Sequence, residues 1–367
     1  MQDKKTIHDS IYGSIDLDET VSKIVSTNEF QRMNMVKQLG FTYLVFPGAT
    51  HSRFEHSLGT YYLAREVSTR LGLGEEDVTD VSLAGLLHDI GHSPFSHSLE
   101  DSMMKIYGKE HLGVTIDIIE GKTPRNELSD SLGDHRERVV KILKGEAGVL
   151  SRIISGNGDV DQIDYLARDS YYTGVALGAV DIPRIMRVLS IYKNELCVEA
   201  KGLPSVEGLM VARMLMYRTV YRHKTALIAS SLANDALFSM NPDYDEFVQW
   251  NDCDFMAELK RTDFAMYDSL KHRKIPKGFI VRLSESNFNE LREELNDSLV
   301  SSQYFKSPFK KEVLNVLTEE GIRPITDFSS IMQFLERELE GMGLIVFRKE
   351  VETKVKDALK TRKIQYQ

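Results

Sequence analysis

Residues 86–97 read Leu86-Leu87-His88-Asp89-Ile90-Gly91-His92-Ser93-Pro94-Phe95-Ser96-His97. The run Val81-Ser82-Leu83-Ala84-Gly85-Leu86-Leu87 leads into this stretch as a buried helix. It delivers an imidazole beside a carboxylate, with two more imidazoles close behind. His and Asp are costly to bury without partners. Something must satisfy the pair, and a divalent metal is the leading candidate. Taken alone, the same two residues would also serve as a helix C-terminus, with His88 capping carbonyls and Asp89 starting a turn. The rest of the chain has to decide between these readings.

The 367 residues exceed the usual size of one domain, so two units, or one large core with an appended unit, are expected. Hydrophobic residues make up 42% and charged residues 28%, as in a soluble globular protein, and no apolar run of about 18 residues exists to span a bilayer. Met1-Gln2-Asp3-Lys4-Lys5-Thr6 lacks the apolar segment of a secretory signal, so a cytoplasmic protein with no membrane partner is expected. Cys197 and Cys253 are too few for a disulfide framework and have no C-x-x-C spacing. A net charge of −9 and a pI near 5.7 do not indicate nucleic-acid binding. An anionic substrate must therefore be drawn by a local basic site.

Working outward, Lys5 to Ile15 is extended and turn-rich, with Tyr12-Gly13 as a turn and Gly13 to Leu17 alternating like a strand. Asp18-Glu19-Thr20 is suited to cap a helix carrying Val21, Ile24 and Val25, and Asn28 starts another. After the loop Val45-Phe46-Pro47-Gly48-Ala49-Thr50, residues Arg53 to Gly72 form a long amphipathic helix with His56 early in it. Gly72 to Asp80 reads as a polar turn region before the helix at Val81. On a helix, Asp161, Asp164, Tyr165, Arg168 and Asp169 share one face. Leu189 to Val198 alternates as a strand or hairpin. Val206 to Leu237 reads as one long helical run with a basic side, and Asp245 to Leu270 continues helically. Gly278 to Leu283 and Gly343 to Phe347 look like strands bracketing helices at Asn287–Leu299 and Ser329–Glu340, which suggests a smaller α+β unit.

His56, His88, Asp89 and Asp161 offer two imidazoles and two carboxylates from three helical segments, a set that suits a divalent metal. Three stretches occur in order: Arg53-Phe54-Glu55-His56-Ser57-Leu58-Gly59, the stretch His88 to His97, and Asp159-Val160-Asp161-Gln162-Ile163-Asp164-Tyr165-Leu166-Ala167-Arg168-Asp169. Together they resemble the HD-domain phosphohydrolases, and within them the deoxynucleoside triphosphate triphosphohydrolase (dNTPase or dGTPase) branch. His8-Asp9-Ser10-Ile11-Tyr12-Gly13, Phe30-Gln31-Arg32-Met33 and Lys37-Gln38-Leu39-Gly40 add to the likeness, which covers roughly Lys5 to Leu237. The expected fold is mainly α, with an HD-domain helical core over residues 1–275 and a smaller α+β C-terminal unit over residues 276–367.

The resemblance implies roles position by position. His56, His88, Asp89 and Asp161 match the metal ligands, the metal being Mn, Fe, Mg, Zn, Co or Ni. Arg53 matches a phosphate-contacting arginine. His92, His97 and His111 match the catalytic histidines along the substrate phosphates, with Glu100 as their acidic partner. Arg213 and Lys224 match basic residues that hold the outer phosphates. Tyr165 and Asp169 match the pair that receives the sugar 3′-hydroxyl. Gln38 and Leu39 match the segment against the sugar, and Tyr221 matches a supporting aromatic. A nucleotide partner and a homo-oligomer are implied. Such a site hydrolyses a nucleoside triphosphate at the α-phosphorus to nucleoside and tripolyphosphate, with water activated by the metal and His97 serving the nucleophile or the leaving 5′-oxygen.

Some positions depart from the pattern. Leu112 follows His111 where a glutamate is common, so an orienting His-Glu pair is missing there. Gln162 follows Asp161 where a lysine commonly reaches the phosphates, and an amide carries no charge. Ser26 and Asn34 stand where regulated members have an acid and an arginine for an activating guanine nucleotide, so no allosteric site of that type is expected. Two further readings stay open: hydrolysis of nucleoside mono- or diphosphates or another phosphate ester on the same site, and a non-catalytic nucleotide-sensing metal-binding scaffold.

Overall fold

In the computed structural model a capping box starts the first long helix. The Ser52 hydroxyl faces the Glu55 backbone N–H, and Glu55 Oε2 accepts from Ser52 N at 2.7 Å, so orphan donors of the first turn are satisfied locally. The structure describes residues 5–156, 158–177, 180–305, 314–337 and 341–366. Met1 to Lys4 and the last three residues of the helix expected at Ser329–Glu340 lie outside the described residues.

The capped helix, α1 (Arg53–Arg70), packs on α2 (Glu75–Leu87). Their approach is close, because a Cβ on Gly85 would meet Ala64 Cβ and Thr60 O at 3.0 Å. The start of α2 lies six residues before the expected Val81. Glu75, Glu76 and Asp77 fill its first turn, where negative side chains favour the helix dipole, so the polar segment is helix rather than turn. Beyond the His-Asp stretch come α3 (Glu100–Tyr107), α4 (His111–Ile119) and α5 (Val160–Thr173). Asp159 caps α5 by accepting from Gln162 N at 2.7 Å.

The long run expected from Val206 to Leu237 is two helices, α6 (Leu203–Met216) and α7 (Lys224–Met240). A π-helical turn at Tyr217–Tyr221 separates them, and His223 caps the second. The segment 245–270 is likewise broken, into helices at Tyr244–Phe247, Asp252–Thr262 and Phe264–Lys271. Asn251 with Asp254 forms a capping box, and the Asp263 side chain starts the last of these helices.

Among the described residues three sheets complete the fold. Strands β1 (Lys5–Asp9) and β2 (Gly13–Leu17) form an antiparallel hairpin with Asp9 opposite Gly13. Strands β3 (Leu189–Tyr192) and β4 (Glu195–Glu199) form the hairpin expected at Leu189–Val198. The C-terminal third adds β5 (Lys277–Arg282), β6 (Leu299–Phe305), β7 (Asn315–Thr318), β8 (Gly321–Pro324) and β9 (Met342–Phe347). β4 pairs in parallel with β7, with Cys197 opposite Asn315, so one sheet in the order β3-β4-β7-β8 joins residues from both sides of position 275. β9 is the centre of an antiparallel sheet β5-β9-β6.

The strand period of two decides what that last sheet covers. Leu344 and Val346 face the main core, which runs from Ile15 to Val346. Ile345 and Phe347 face a smaller cluster with Val281, Phe288, Leu291, Val355 and Leu359. Among the described residues no helix is long and apolar enough to cross a membrane.

Candidate active site

The end of α2, the start of α1 and the start of α5 bring His88, His56 and Asp161 together. One ligand atom from each lies within 4.8 Å of the others. His56 is fully buried, with Nδ1 2.6 Å from Asp164 Oδ2. His88 has Nδ1 2.8 Å from the Gly85 carbonyl. A carbonyl only accepts, so Nδ1 of His88 carries the proton, and in the neutral ring Nε2 bears the lone pair. Both Nε2 atoms are buried and make no hydrogen bond of acceptable geometry, although Asp161 Oδ1 stands 3.0 Å from His56 and 3.5 Å from His88. Asp89 Oδ2 lies 3.4 Å from each.

The field at this point is negative. Burial works against a charged His56 ring, yet Asp161, Asp164 and Asp89 overcome it and push its pKa up to about 10. The same burial opposes Asp161 and Asp89, and neighbouring cations hold both carboxyls below their usual range. Once His56 gives up its proton, two Nε2 atoms that both face Asp161 among carboxylates, each ring oriented through its other nitrogen, fit a divalent cation. Among the described residues His56, His88 and Asp161 can hold it, and Asp89, the fourth residue expected from the sequence, lies beside them.

Arg53 contacts Asp89 Oδ2 through Nη1, and its Nε donates to Ser96 Oγ at 2.8 Å. Ser96 is itself tied to the Lys37 carbonyl at 2.6 Å. Phe95 and Ser96 both adopt left-handed backbone, φ 55° and 57°, an uncommon conformation for side chains of this size. The turn is held by Phe95 stacking on Phe41 at 4.1 Å and by Asp252 accepting from Phe95 N at 2.7 Å. It separates His92 from His97 and brings the pair back together with His111, so one nitrogen from each of the three lies within 4.8 Å of the others.

His92 is buried with Nε2 3.2 Å from Asp89 Oδ1. Burial, Arg53 and His111 hold its pKa well below the usual value against the pull of Asp89. Glu100 accepts from Nδ1 of His97 at 2.8 Å and from Nδ1 of His111. This corrects the expectation drawn from Leu112. A His-Glu pair is present, supplied from α3 by Glu100, while the Leu112 side chain is exposed at 39%.

Gln162 also differs from expectation. It is buried, and its Nε2 donates to the Gly156 carbonyl at 2.6 Å, so the amide holds the turn before α5. Asp159 beside it is raised to about 7, by burial first and by the charge of Asp161 next.

A third group gathers around Asp169, which is 1% exposed. Its Oδ2 accepts from the Tyr221 hydroxyl at 2.8 Å, and its Oδ1 lies 2.7 Å from His51 Nε2. Tyr165 stands with its ring centroid 6.1 Å from that of Tyr221. Arg213 on α6 has its guanidinium carbon 5.7 Å from the Tyr217 ring centroid. Gln38 is buried with its backbone N–H bonded to the His51 carbonyl at 3.0 Å, and Leu39 is half-buried beside it. Lys224, at the start of α7, has Nζ 5.9 Å from the Phe279 ring centroid, which ties it to the C-terminal sheet. His51 was not singled out by sequence. Its signal was slight, a lone histidine two residues before Arg53. Asp164 was placed on the right helix face but without its role as the partner of His56.

Comparison with known proteins now bears on this geometry. The HD domain model matches residues 53–169, and the HD associated region model matches residues 180–302. An uncharacterized protein of Methanocaldococcus jannaschii is 31% identical over 359 residues, covering 90% of this chain and 76% of its own length. A deoxynucleoside triphosphate triphosphohydrolase SAMHD1 homolog of Dictyostelium discoideum is 30% identical over 266 residues, covering 68% of this chain and 51% of its own length. The chain therefore spans about three quarters of the first relative and about half of the second. The crystal structure of a phosphohydrolase from Bacteroides thetaiotaomicron superposes with a TM-score of 0.80 at 27% identity, covering 94% of this chain and all of that one. The two matched models divide at the end of α5, so every candidate cation ligand falls inside the first. The chain is thus a metal-dependent phosphohydrolase of the HD-domain superfamily.

Proposed function

We propose that the protein hydrolyses (deoxy)nucleoside triphosphates at the α-phosphorus, releasing nucleoside and tripolyphosphate. One observation carries the reading: the His56, His88 and Asp161 group adjoins the His92, His97 and His111 group through Asp89, which reaches both. A cation site beside a row of imidazoles suits a substrate with one reacting phosphorus and further phosphate oxygens to hold. The Dictyostelium relative, named for triphosphohydrolase activity, supports it.

A divalent cation held by His56, His88, Asp89 and Asp161 supplies Lewis acidity to a phosphoryl oxygen and acidity to water. The protein's own groups do the rest. Arg53 neutralises Asp89 and presents positive charge to a phosphate. His97, exposed and fixed through Nδ1 by Glu100, offers Nε2 to hold or deliver a proton at the leaving 5′-oxygen. His92 and His111 bind phosphate oxygens, with Arg213 and Lys224 toward the outer phosphates. Asp169 and Tyr165 receive the 3′-hydroxyl, against Gln38, Leu39 and Tyr221. We place the enzyme in the cytoplasm as a homo-oligomer.

The test is product analysis with dGTP and the other common nucleotides over several metals. Tripolyphosphate is the expected product. Release of orthophosphate alone from several nucleotides would replace the proposal with the second reading, a phosphatase of nucleoside mono- or diphosphates or another phosphate ester. Gln162 favours that reading, because its amide is spent on Gly156 and adds no charge for a third phosphate.

A further inference from the structure

Neither matched family model covers the N-terminal hairpin, yet a buried aspartate on it reaches toward the candidate cation site. Asp9 ends β1 and works in two directions. Its Oδ1 accepts from the backbone N–H groups of Ile11 and Tyr12 at 2.8 and 2.9 Å, which fixes the turn into β2. Its Oδ2 accepts from Arg168 Nη1 at 2.8 Å. Arg168 is wholly buried on α5, and its Nε and Nη2 donate as a fork to Asp164 Oδ2 and Oδ1, each at 2.9 Å. Asp164 Oδ2 is the partner of His56 Nδ1. An unbroken line of hydrogen bonds thus runs from the hairpin turn to the imidazole.

Charge accounting shows what Asp9 adds. Arg168 alone would cancel Asp164, and the carboxylate behind His56 would lose most of its pull on the ring. With Asp9 on the far side, the trio carries one net negative charge, and a buried ion triad of this kind keeps its field because little water screens it. The space for the trio is made by a glycine. A Cβ on Gly59 would run into Asp164 Oδ1 and Arg168 Nη2.

We infer that Asp9 and Arg168 are positioning residues for the cation site: the N-terminal hairpin holds the Arg168 fork, the fork holds Asp164, and Asp164 aims His56 Nε2 and keeps it electron-rich. The inference rests on the metal site proposed above. Its test is the affinity of the full chain for Mn²⁺ and Zn²⁺, measured by competition with a chelating dye, with helical circular dichroism recorded alongside.

Asp9→Asn keeps the side-chain size and removes the charge, and we expect affinity to fall about 10- to 100-fold, the usual cost of losing a group behind a metal ligand. Thr6→Ala, which removes a bond to Asp16 in the same hairpin, leaves affinity within about twofold. Asp9→Asn added to Asp164→Asn costs no more than Asp164→Asn alone, because Asp9 acts through Asp164. Arg168→Lys keeps the charge without the fork and gives a comparable loss, which preserves the test if Asp9→Asn fails to fold. Wild-type affinity in folded Asp9→Asn, or losses that multiply in the double variant, would overturn the inference. A wild-type chain that binds neither ion would overturn the metal site itself.

Discussion

His92 and His111 lie face to face, with ring centroids 4.3 Å apart and planes 8° from parallel. The two rings are engaged by different carboxylates, His111 through Nδ1 by Glu100 and His92 through Nε2 by Asp89 Oδ1. His97 stands edge-on to both, at 4.6 and 5.3 Å. His56 and His88 are arranged differently, 75° apart, with both Nε2 atoms turned to Asp161 Oδ1. On the proposed function, the three imidazoles beside Glu100 face the phosphate oxygens and the two beside Asp161 face the cation.

Glu100 is the hinge of the first group, since it orients His97 and His111 at once. An amide oxygen there is a weaker acceptor, and the amide nitrogen repels a second N–H. Glu100→Gln is expected to retain bound metal while kcat falls about 10- to 100-fold through misplaced imidazoles. The pH dependence of stability gives a second readout. Burial acts to raise the Glu100 pKa from 4.5, but the bonds from His111 and His97 overcome it and set it lower in the fold. The contribution is therefore fully present above about pH 4.5 and is lost as pH falls toward the folded value. Thermal melts should show the gap between wild type and Glu100→Gln narrowing below pH 4.5. A gap that stays constant there would mean that the carboxylate is not held by the two histidines.

On the proposed function, Asp161 serves cation binding and His97 serves proton transfer, so their variants should differ. Asp161→Ala removes the oxygen that both Nε2 atoms face, so metal content measured by plasma mass spectrometry should drop to background together with activity. His97→Ala should keep its metal and lose most of the rate. Wild-type metal in Asp161→Ala would remove Asp161 from the ligand set, and an unchanged rate in His97→Ala would move proton transfer elsewhere.

The candidate site was legible as unusual composition, and its roles came from the resemblance of three ordered stretches to a known family. His88 and Asp89 end an apolar helix, His56 is enclosed in another, and Asp161 and Asp164 occupy a helix face too acidic for a core. What was not legible depends on distant chain. Gln162 reads as a weak substitute for a lysine until the turn at Gly156 is folded against it. Glu100 was expected beside the histidines from the family resemblance alone, and its bond to His111 Nδ1 is made only once the two helices are folded together. The parallel pairing of β4 with β7 joins segments more than a hundred residues apart, and neither carries a signal for the other. The helix break at Tyr217–Tyr221 has no proline or glycine to announce it, and a π turn keeps the side-chain pattern close to helical.

Asp169 is held from two sides, by His51 and by Tyr221. If it receives a 3′-hydroxyl, the two bonds fix which lone pairs remain for the sugar. Tyr221→Phe should then raise KM for a deoxynucleotide by about 10-fold with little change in kcat, and narrow discrimination against the 3′-deoxy analogue. Equal loss on both nucleotides would mean that Tyr221 supports the fold and does not direct the sugar contact.

Gly91 and Gly113 make opposite cases on either side of one helix start. Gly91 N donates to Thr115 Oγ1 at 3.0 Å, and Thr115 Oγ1 donates to the His88 carbonyl at 3.2 Å, which ties α4 to the His-Asp turn. A Cβ on Gly91 would collide with Thr115 N and the His111 carbonyl, both backbone atoms that cannot turn aside. Gly91→Ala must therefore push back the helix carrying His111, at a cost of about 1–3 kcal/mol in stability. At Gly113 the nearest atom is Lys109 Cβ at 3.6 Å, an ordinary contact. Gly113→Ala should be neutral or gain up to about 1 kcal/mol from better helix propensity. Melting of the two variants, with kcat and metal content, separates the effects. Gly91→Ala should lose stability and rate but keep most of its metal, since His56 and Asp161 stand on other helices and the His88 ring is held through Nδ1 by the Gly85 carbonyl. An equal response from the two glycines would show that the approach of α4 to the turn does not set the position of His111.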